Sequence, residues 1–212
     1  MRPPPRFVAA GLGLTALIAI SAIAAVRLAP AQDVPVTQEM LDDDPQAPVA
    51  GNPKGDVTIF AFVDYTCPYC KVSAPALTRL IASDPNVRVV YKDWPILSAD
   101  SGYGAKLALG AKYQGKYEAV HDALMNIHGP VDREKMNEAL RATGIDVDLL
   151  NQDLDKHFDE IVALIRRNDA QAKQLHLPGT PVYVVGSVKM ATALDDDGFK
   201  RAVAAARAQA KK

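Results

Sequence analysis

Four residues constrain this chain more than any others: Cys67-Pro68-Tyr69-Cys70, set between an apolar run and a stretch with helical spacing. Upstream, Val57-Thr58-Ile59-Phe60-Ala61-Phe62-Val63 is nearly all apolar and rich in β-branched and aromatic side chains. That is the composition of a central strand covered on both faces. Downstream, Val72, Ala76, Leu80 and Ile81 keep helical spacing as far as Ser83, and a second strand-like run follows from Val87 to Tyr91. Strand, helix, strand predicts a right-handed crossover and a parallel pair. The first cysteine then falls at a helix start, where unpaired backbone N–H groups and the positive helix end lower a thiol pKa. The second, one turn on, is close enough to attack a mixed disulfide formed at the first. A dithiol so placed can pass a disulfide to a substrate or take one from it.

Cys67 and Cys70 are the only cysteines in 212 residues, which excludes a multi-disulfide scaffold and a four-cysteine zinc site. A zinc half-site and an inert structural bond are the other readings of the pair. The first needs two more ligands, but His121, His128, His157 and His176 show no tight pair at ligand spacing and read as surface or packing residues. The second would close so short a loop that it removes little chain entropy. A formal net charge of -1 and no basic cluster argue against nucleic-acid binding.

The charge is uneven along the chain. Residues 1–31 hold Arg2, Arg6 and Arg27 and no acid, and Phe7 to Val26 is an uncharged run of twenty residues. This is the pattern of an export signal or a single membrane anchor, with the amino end left in the cytoplasm. Twenty residues suffice to cross about 30 Å of hydrocarbon as a helix. Ala29-Pro30-Ala31 offers a cleavage site before Gln32. Residues 32–56, with four prolines, Gly51, Gly55 and the run Asp42-Asp43-Asp44, read as a linker with one helical turn near Thr37 to Leu41.

From about residue 98 to 177 the pattern is all helix. Ser98 caps a first helix to about Tyr113, Gly115 separates it from a second to about Ile127, and Asp132 to Thr143 forms a third closed by Gly144. Asp146 or Asp148 starts an apolar stripe of one or two helices running through Leu150, Leu154, Phe158, Ile161 and Ile165. Strands resume at Val182 to Val185 and, after a Gly186-Ser187 turn, at Val188 to Met190. A last helix spans about Asp195 to Ala210.

The stretch Phe62-Val63-Asp64-Tyr65-Thr66-Cys67-Pro68-Tyr69-Cys70-Lys71, then Tyr91-Lys92-Asp93-Trp94-Pro95-Ile96, then Gly179-Thr180-Pro181-Val182, resembles the DsbA-like family of exported thiol-disulfide oxidoreductases. The resemblance covers about residues 57–212 and implies an α/β thioredoxin-like fold with a helical insertion at about 98–177. It implies that Cys67 is the exposed nucleophile, Cys70 the buried resolving thiol, and Pro181 a cis proline facing them, with Thr180 offering backbone hydrogen bonds to substrate. Pro68 and Tyr69 then help to set thiolate stability; Tyr69 stands where the first described members carry histidine. No cofactor is expected beyond the redox-active Cys67–Cys70 disulfide, and no metal. The expected partners are reduced or unfolded exported proteins and a quinone-linked membrane protein of the DsbB type, in the periplasm, with residues 7–26 as an optional tether. Dithiol oxidation is the favoured direction. Isomerase or reductase activity in the same family is the alternative, and a redox-silent periplasmic binding or assembly module is the rival of another class. Asp64 and Lys92 are read as solvated strand ends, and Tyr65 and Trp94 as packing residues near the site.

Overall fold

The computed structural model describes Met1, residues 41 and 42, and residues 44–211. The leader run 7–26 and residues 32–40 of the linker lie outside the described residues, as does all but Leu41 of the expected helical turn. Among the described residues no helix is long and apolar enough to cross a membrane.

A five-stranded mixed sheet forms the centre. Its strands are β1 (Val49–Gly51), β2 (Val57–Val63), β3 (Val87–Asp93), β4 (Val182–Val185) and β5 (Val188–Met190). The spatial order is β1-β3-β2-β4-β5, with β2 and β3 parallel and every other pair antiparallel. Strand β2 is central and buried at every position but Thr58, which is why it reads as an unbroken apolar run. The β4–β5 hairpin turns at Gly186, whose φ of 58° suits glycine. Part of the segment expected to be linker is folded: Val49 pairs with Val90 and Gly51 with Arg88, while Leu41 and Ala47 are buried. Three residues are too few to show strand periodicity, so the sequence pattern gave β1 no signal.

Helix α1 (Pro68–Ser83) links β2 to β3, as the strand-helix-strand pattern predicts. The helical insertion comprises α2 (Ala99–Ala111), α3 (Tyr117–Met125), α4 (Arg133–Arg141), α5 (Val147–Lys156) and α6 (Phe158–Gln174), and α7 (Asp196–Ala210) closes the chain. The starts of α2, α4, α5 and α7 are written in side-chain caps, whereas those of α3 and α6 carry none. Asp132, Asp146 and Asp195 each accept a backbone N–H three residues on, and Ser98 forms a reciprocal capping box with Ser101.

Consecutive strand residues point to opposite faces. Asp93 turns toward α3, where Tyr117 donates to its carboxylate, and Lys92 turns toward the face carrying Asp44 and the α6 residue Arg167. On the α3 side, Phe199 of α7 meets Tyr183 edge-on at 4.9 Å. On the other, Trp94 meets Phe62 edge-on and donates its indole N–H to Asp169 of α6. Gly104 lets α2 close on the loop before Cys67, since a Cβ there would stand 3.0 Å from the Tyr65 Cβ.

Candidate active site

Strand β2 ends at Val63, and Asp64-Tyr65-Thr66 carries the chain to Cys67, the N-cap of α1. Pro68 takes the first helical position, where a missing N–H costs nothing. Cys70 lies one turn along, its N–H directed at the Cys67 sulfur over 3.4 Å. Both cysteines are thiols and both are buried; Cys67, 2% exposed, is not the exposed residue that the resemblance implies, because the Thr180-Pro181 segment stands against it. The opposite wall is the Thr180-Pro181 segment, joined by a cis peptide bond, with the Cys67 Sγ 3.2 Å from the Thr180 carbonyl oxygen. Helix start, cysteine pair and Thr180-Pro181 therefore meet at one place, and Tyr69 projects beside them, 65% exposed.

The two thiols have opposite electrostatics. Hydrogen bonding from the Cys70 thiol, with further contributions from Thr180 and the backbone N–H groups of Cys70 and Tyr69, pulls Cys67 down to about 6 against the effect of burial. Burial, then the neighbouring Cys67 sulfur, pushes Cys70 far above the ordinary thiol range. Cys67 is thus a thiolate near neutral pH while Cys70 keeps its proton.

Asp64 corrects the expectation of a solvated strand end. Its carboxylate is 1% exposed and accepts from the Thr66 N–H and hydroxyl on one oxygen and from the Ile96 and Leu97 N–H groups on the other. It ties the loop before Cys67 to the loop after β3, and Thr66 continues the link to Ser101 of α2 at 2.7 Å. Lys92 is also fully buried, and burial pulls its ammonium down to about 8 while Asp44 and Asp42 oppose the shift. It lies on the face turned from Asp93 and is not part of the thiol environment.

Behind the loop, Tyr65 donates to Asp93 at 2.9 Å, and Tyr117 donates to the same carboxylate. The Tyr65 oxygen lies 2.9 Å from the His121 Nδ1. With the Tyr65 proton committed to Asp93, the contact is completed by His121 carrying its proton on Nδ1. Burial pushes Asp93 up to about 7 against the two tyrosine hydrogen bonds, and burial followed by the Lys71 charge pulls His121 down to about 3. Tyr65 and His121, read as packing residues, are members of a buried polar network. The other histidines do not join it: His128 and His176 are exposed, and His157 stacks on Tyr113 at 3.7 Å.

Lys71 had no assigned role in the sequence. Its half-buried ammonium hydrogen-bonds the Leu124 carbonyl in the last turn of α3. Burial pulls it down to about 8, opposed by the nearby Cys70, Asp64 and Cys67. Only its position after Cys70 signalled it. Among the described residues no group of three or more His, Cys, Asp or Glu side chains is placed to hold a metal ion.

Several known proteins resemble the chain. Residues 58–204 match the DSBA-like thioredoxin domain. A thioredoxin-like oxidoreductase from Silicibacter pomeroyi is 39% identical, with a TM-score of 0.76 over 82% of this chain and 99% of that one. The thiol-disulfide exchange protein alpha-DsbA2 from Wolbachia pipientis is 27% identical, with a TM-score of 0.74 over 79% of this chain and 90% of that one. The thiol:disulfide interchange protein DsbA of Bordetella parapertussis is 26% identical over 81% of this chain and 83% of its own length. The chain also matches Na(+)/H(+) antiporter NhaA 1 of a Mycobacterium at 22% identity, spanning 30% of that protein's length. The chain belongs to the DsbA-like thiol-disulfide oxidoreductase family, and it is an oxidoreductase with a thioredoxin-like fold and a helical insertion.

Proposed function

We propose that the protein introduces disulfides into exported proteins through Cys67 and Cys70. In the oxidised form, a substrate thiolate attacks the Cys67 sulfur; the Cys67–Cys70 bond breaks, and Cys70 leaves and takes up a proton. A second substrate thiolate then attacks the substrate sulfur of the mixed disulfide. The substrate disulfide forms and Cys67 departs as a thiolate. Two electrons pass from substrate to the dithiol, and an oxidant must later remove them. The family supplies that role through a quinone-linked membrane protein of the DsbB type, which we assign as the partner.

The observation that carries this direction is the placement of Cys67 as the N-cap of α1, with the Cys70 N–H directed at its sulfur. A stabilised Cys67 thiolate is a good leaving group and favours the reduced form, so the disulfide is given away readily. Pro68 and Tyr69 act here through the backbone of the first helical turn. Thr180 and Pro181 form the wall against which substrate backbone pairs, the Thr180 carbonyl already facing the Cys67 sulfur. Export is supported by Arg2, Arg6 and the uncharged run 7–26, which serve as a cleaved signal or as a tether to the inner membrane.

The test supplies the oxidised protein with a reduced multi-cysteine substrate and, separately, the reduced protein with a scrambled one. Fast oxidation of the first with poor rescue of the second is the expected result. Rescue of the scrambled substrate with poor oxidation of the reduced one would assign isomerase activity instead. Unchanged function after replacement of both cysteines would point to a redox-silent module.

A further inference from the structure

A groove of about 560 Å³ runs from Thr66 and Pro68, the residues flanking Cys67, along α1 to the loop that follows α3. Its apolar wall is made by Val72, Pro75, Met125 and Ile127, of which Val72 is 72% exposed. Lys71 lines the same groove. The Leu124 carbonyl is the one hydrogen-bond acceptor its ammonium meets among the described residues, leaving further N–H donors for a bound group. No carboxylate lines the groove. Asp122 belongs to a neighbouring hollow beyond Pro75 and Met125, where Thr78 contacts it.

A polypeptide joined to the Cys67 sulfur has to leave the site past one of its walls. One is the Thr180-Pro181 segment; another is this groove, which begins at the residues on either side of Cys67. An extended segment laid there would meet exposed apolar surface along α1 and one incompletely satisfied cation. We propose that this groove receives the substrate segment beside its reacting cysteine, and that Lys71 selects segments with an acidic residue among apolar ones. The proposal rests on the thiol-disulfide exchange reading and adds a substrate preference to it. The charge is presented at a half-exposed site, so the selection is modest and weakens with salt.

The test uses the oxidised protein and two reduced peptides of identical sequence, each with two cysteines, carrying Glu or Lys on either side of the first. Flanking charge also changes a cysteine's own reactivity, so each rate is divided by the peptide's rate with the uncharged hydroxyethyl disulfide. The corrected Glu-peptide rate should exceed the Lys-peptide rate by roughly fivefold at low salt, and less at high salt. In Lys71→Met the ratio should fall to about one. Taking a ratio removes any general effect of this substitution on the thiols. Val72→Asp should slow the Glu peptide more than it slows oxidation of dithiothreitol, which is too small to occupy the groove. Equal corrected rates in the unaltered protein, or an undiminished ratio in Lys71→Met, would overturn the groove assignment while leaving exchange chemistry intact. Failure to oxidise dithiothreitol at all would instead overturn the exchange reading, and the groove assignment with it.

Discussion

The backbone N–H of Cys70 is directed at the sulfur of Cys67 across 3.4 Å, so the residue that resolves a mixed disulfide also stabilises the thiolate that starts it. The contact exists because Cys67 is an N-cap, with a side chain that accepts from the N–H three residues on, as Ser98, Asp132, Asp146 and Asp195 do at four other helix starts. Cys67 with its pKa of about 6 is therefore expected to titrate well below Cys70. Thiolate absorbance of the reduced protein should rise through a single step near that pH, and alkylation at pH 6 should label Cys67 alone. A single step above pH 8 would contradict the assignment.

Separation of roles leads to a trapping experiment. Cys70→Ser retains the attacking position at Cys67 but removes the only intramolecular thiol that can release a bound partner. Mixed disulfides with other proteins should accumulate in this variant and disappear on adding reductant. Cys67→Ser should accumulate none. Equal trapping by the two variants would contradict the order of attack.

Asp64 supports the site through four hydrogen bonds to two loops. Asp64→Ala leaves the Thr66, Ile96 and Leu97 N–H groups without their acceptor, and denaturant unfolding should show a loss of about 3 kcal/mol. Exchange activity should fall as well, because Thr66 immediately precedes Cys67. A loss below about 1 kcal/mol would mean that water replaces the carboxylate.

Much of this architecture is legible in the residues themselves. The β2 run, the helix after Cys67, the Ser98, Asp132, Asp146 and Asp195 starts, and the Gly186 hairpin are local signals, and each is where its pattern places it. What could not be read is set by distant partners. Asp64 and Lys92 look like strand-end charges in the sequence, because nothing local shows that loop 96–97 folds over one and that the Asp44 and Arg167 region covers the other. Tyr65, Asp93, Tyr117 and His121 are scattered over 57 positions and become one network only when the insertion packs on the sheet. Strand β1 depends on its pairing with β3 for its existence.

That network predicts two opposed pH effects. Asp93 keeps its proton in the folded state to about pH 7, whereas an unfolded aspartate loses it near pH 3.9. Its contribution to stability is full below about pH 4 and is lost as pH rises to about 7. His121 stays neutral in the folded state down to about pH 3, whereas an unfolded histidine protonates near pH 6.5. Its contribution is present above about pH 6.5 and is lost on acidification. Between about pH 4 and 6.5 the two slopes, each at most about 1.4 kcal/mol per pH unit, nearly cancel. Relative to the unaltered protein, Asp93→Asn should gain stability as pH rises through this window, and His121→Phe should lose it. Denaturant midpoints collected from pH 4 to 7 measure both, and parallel curves for all three proteins would contradict the shifts.

The direction of exchange is tested most directly by the redox potential of the Cys67–Cys70 couple, measured by equilibration with glutathione at pH 7. With the Cys67 thiolate stabilised by the Cys70 thiol and by the N–H groups of the helix start, the expected potential is above about -180 mV, on the oxidising side of the range for disulfide exchange proteins. A value near about -270 mV, where reducing thioredoxins lie, would contradict the proposal that this protein donates disulfides.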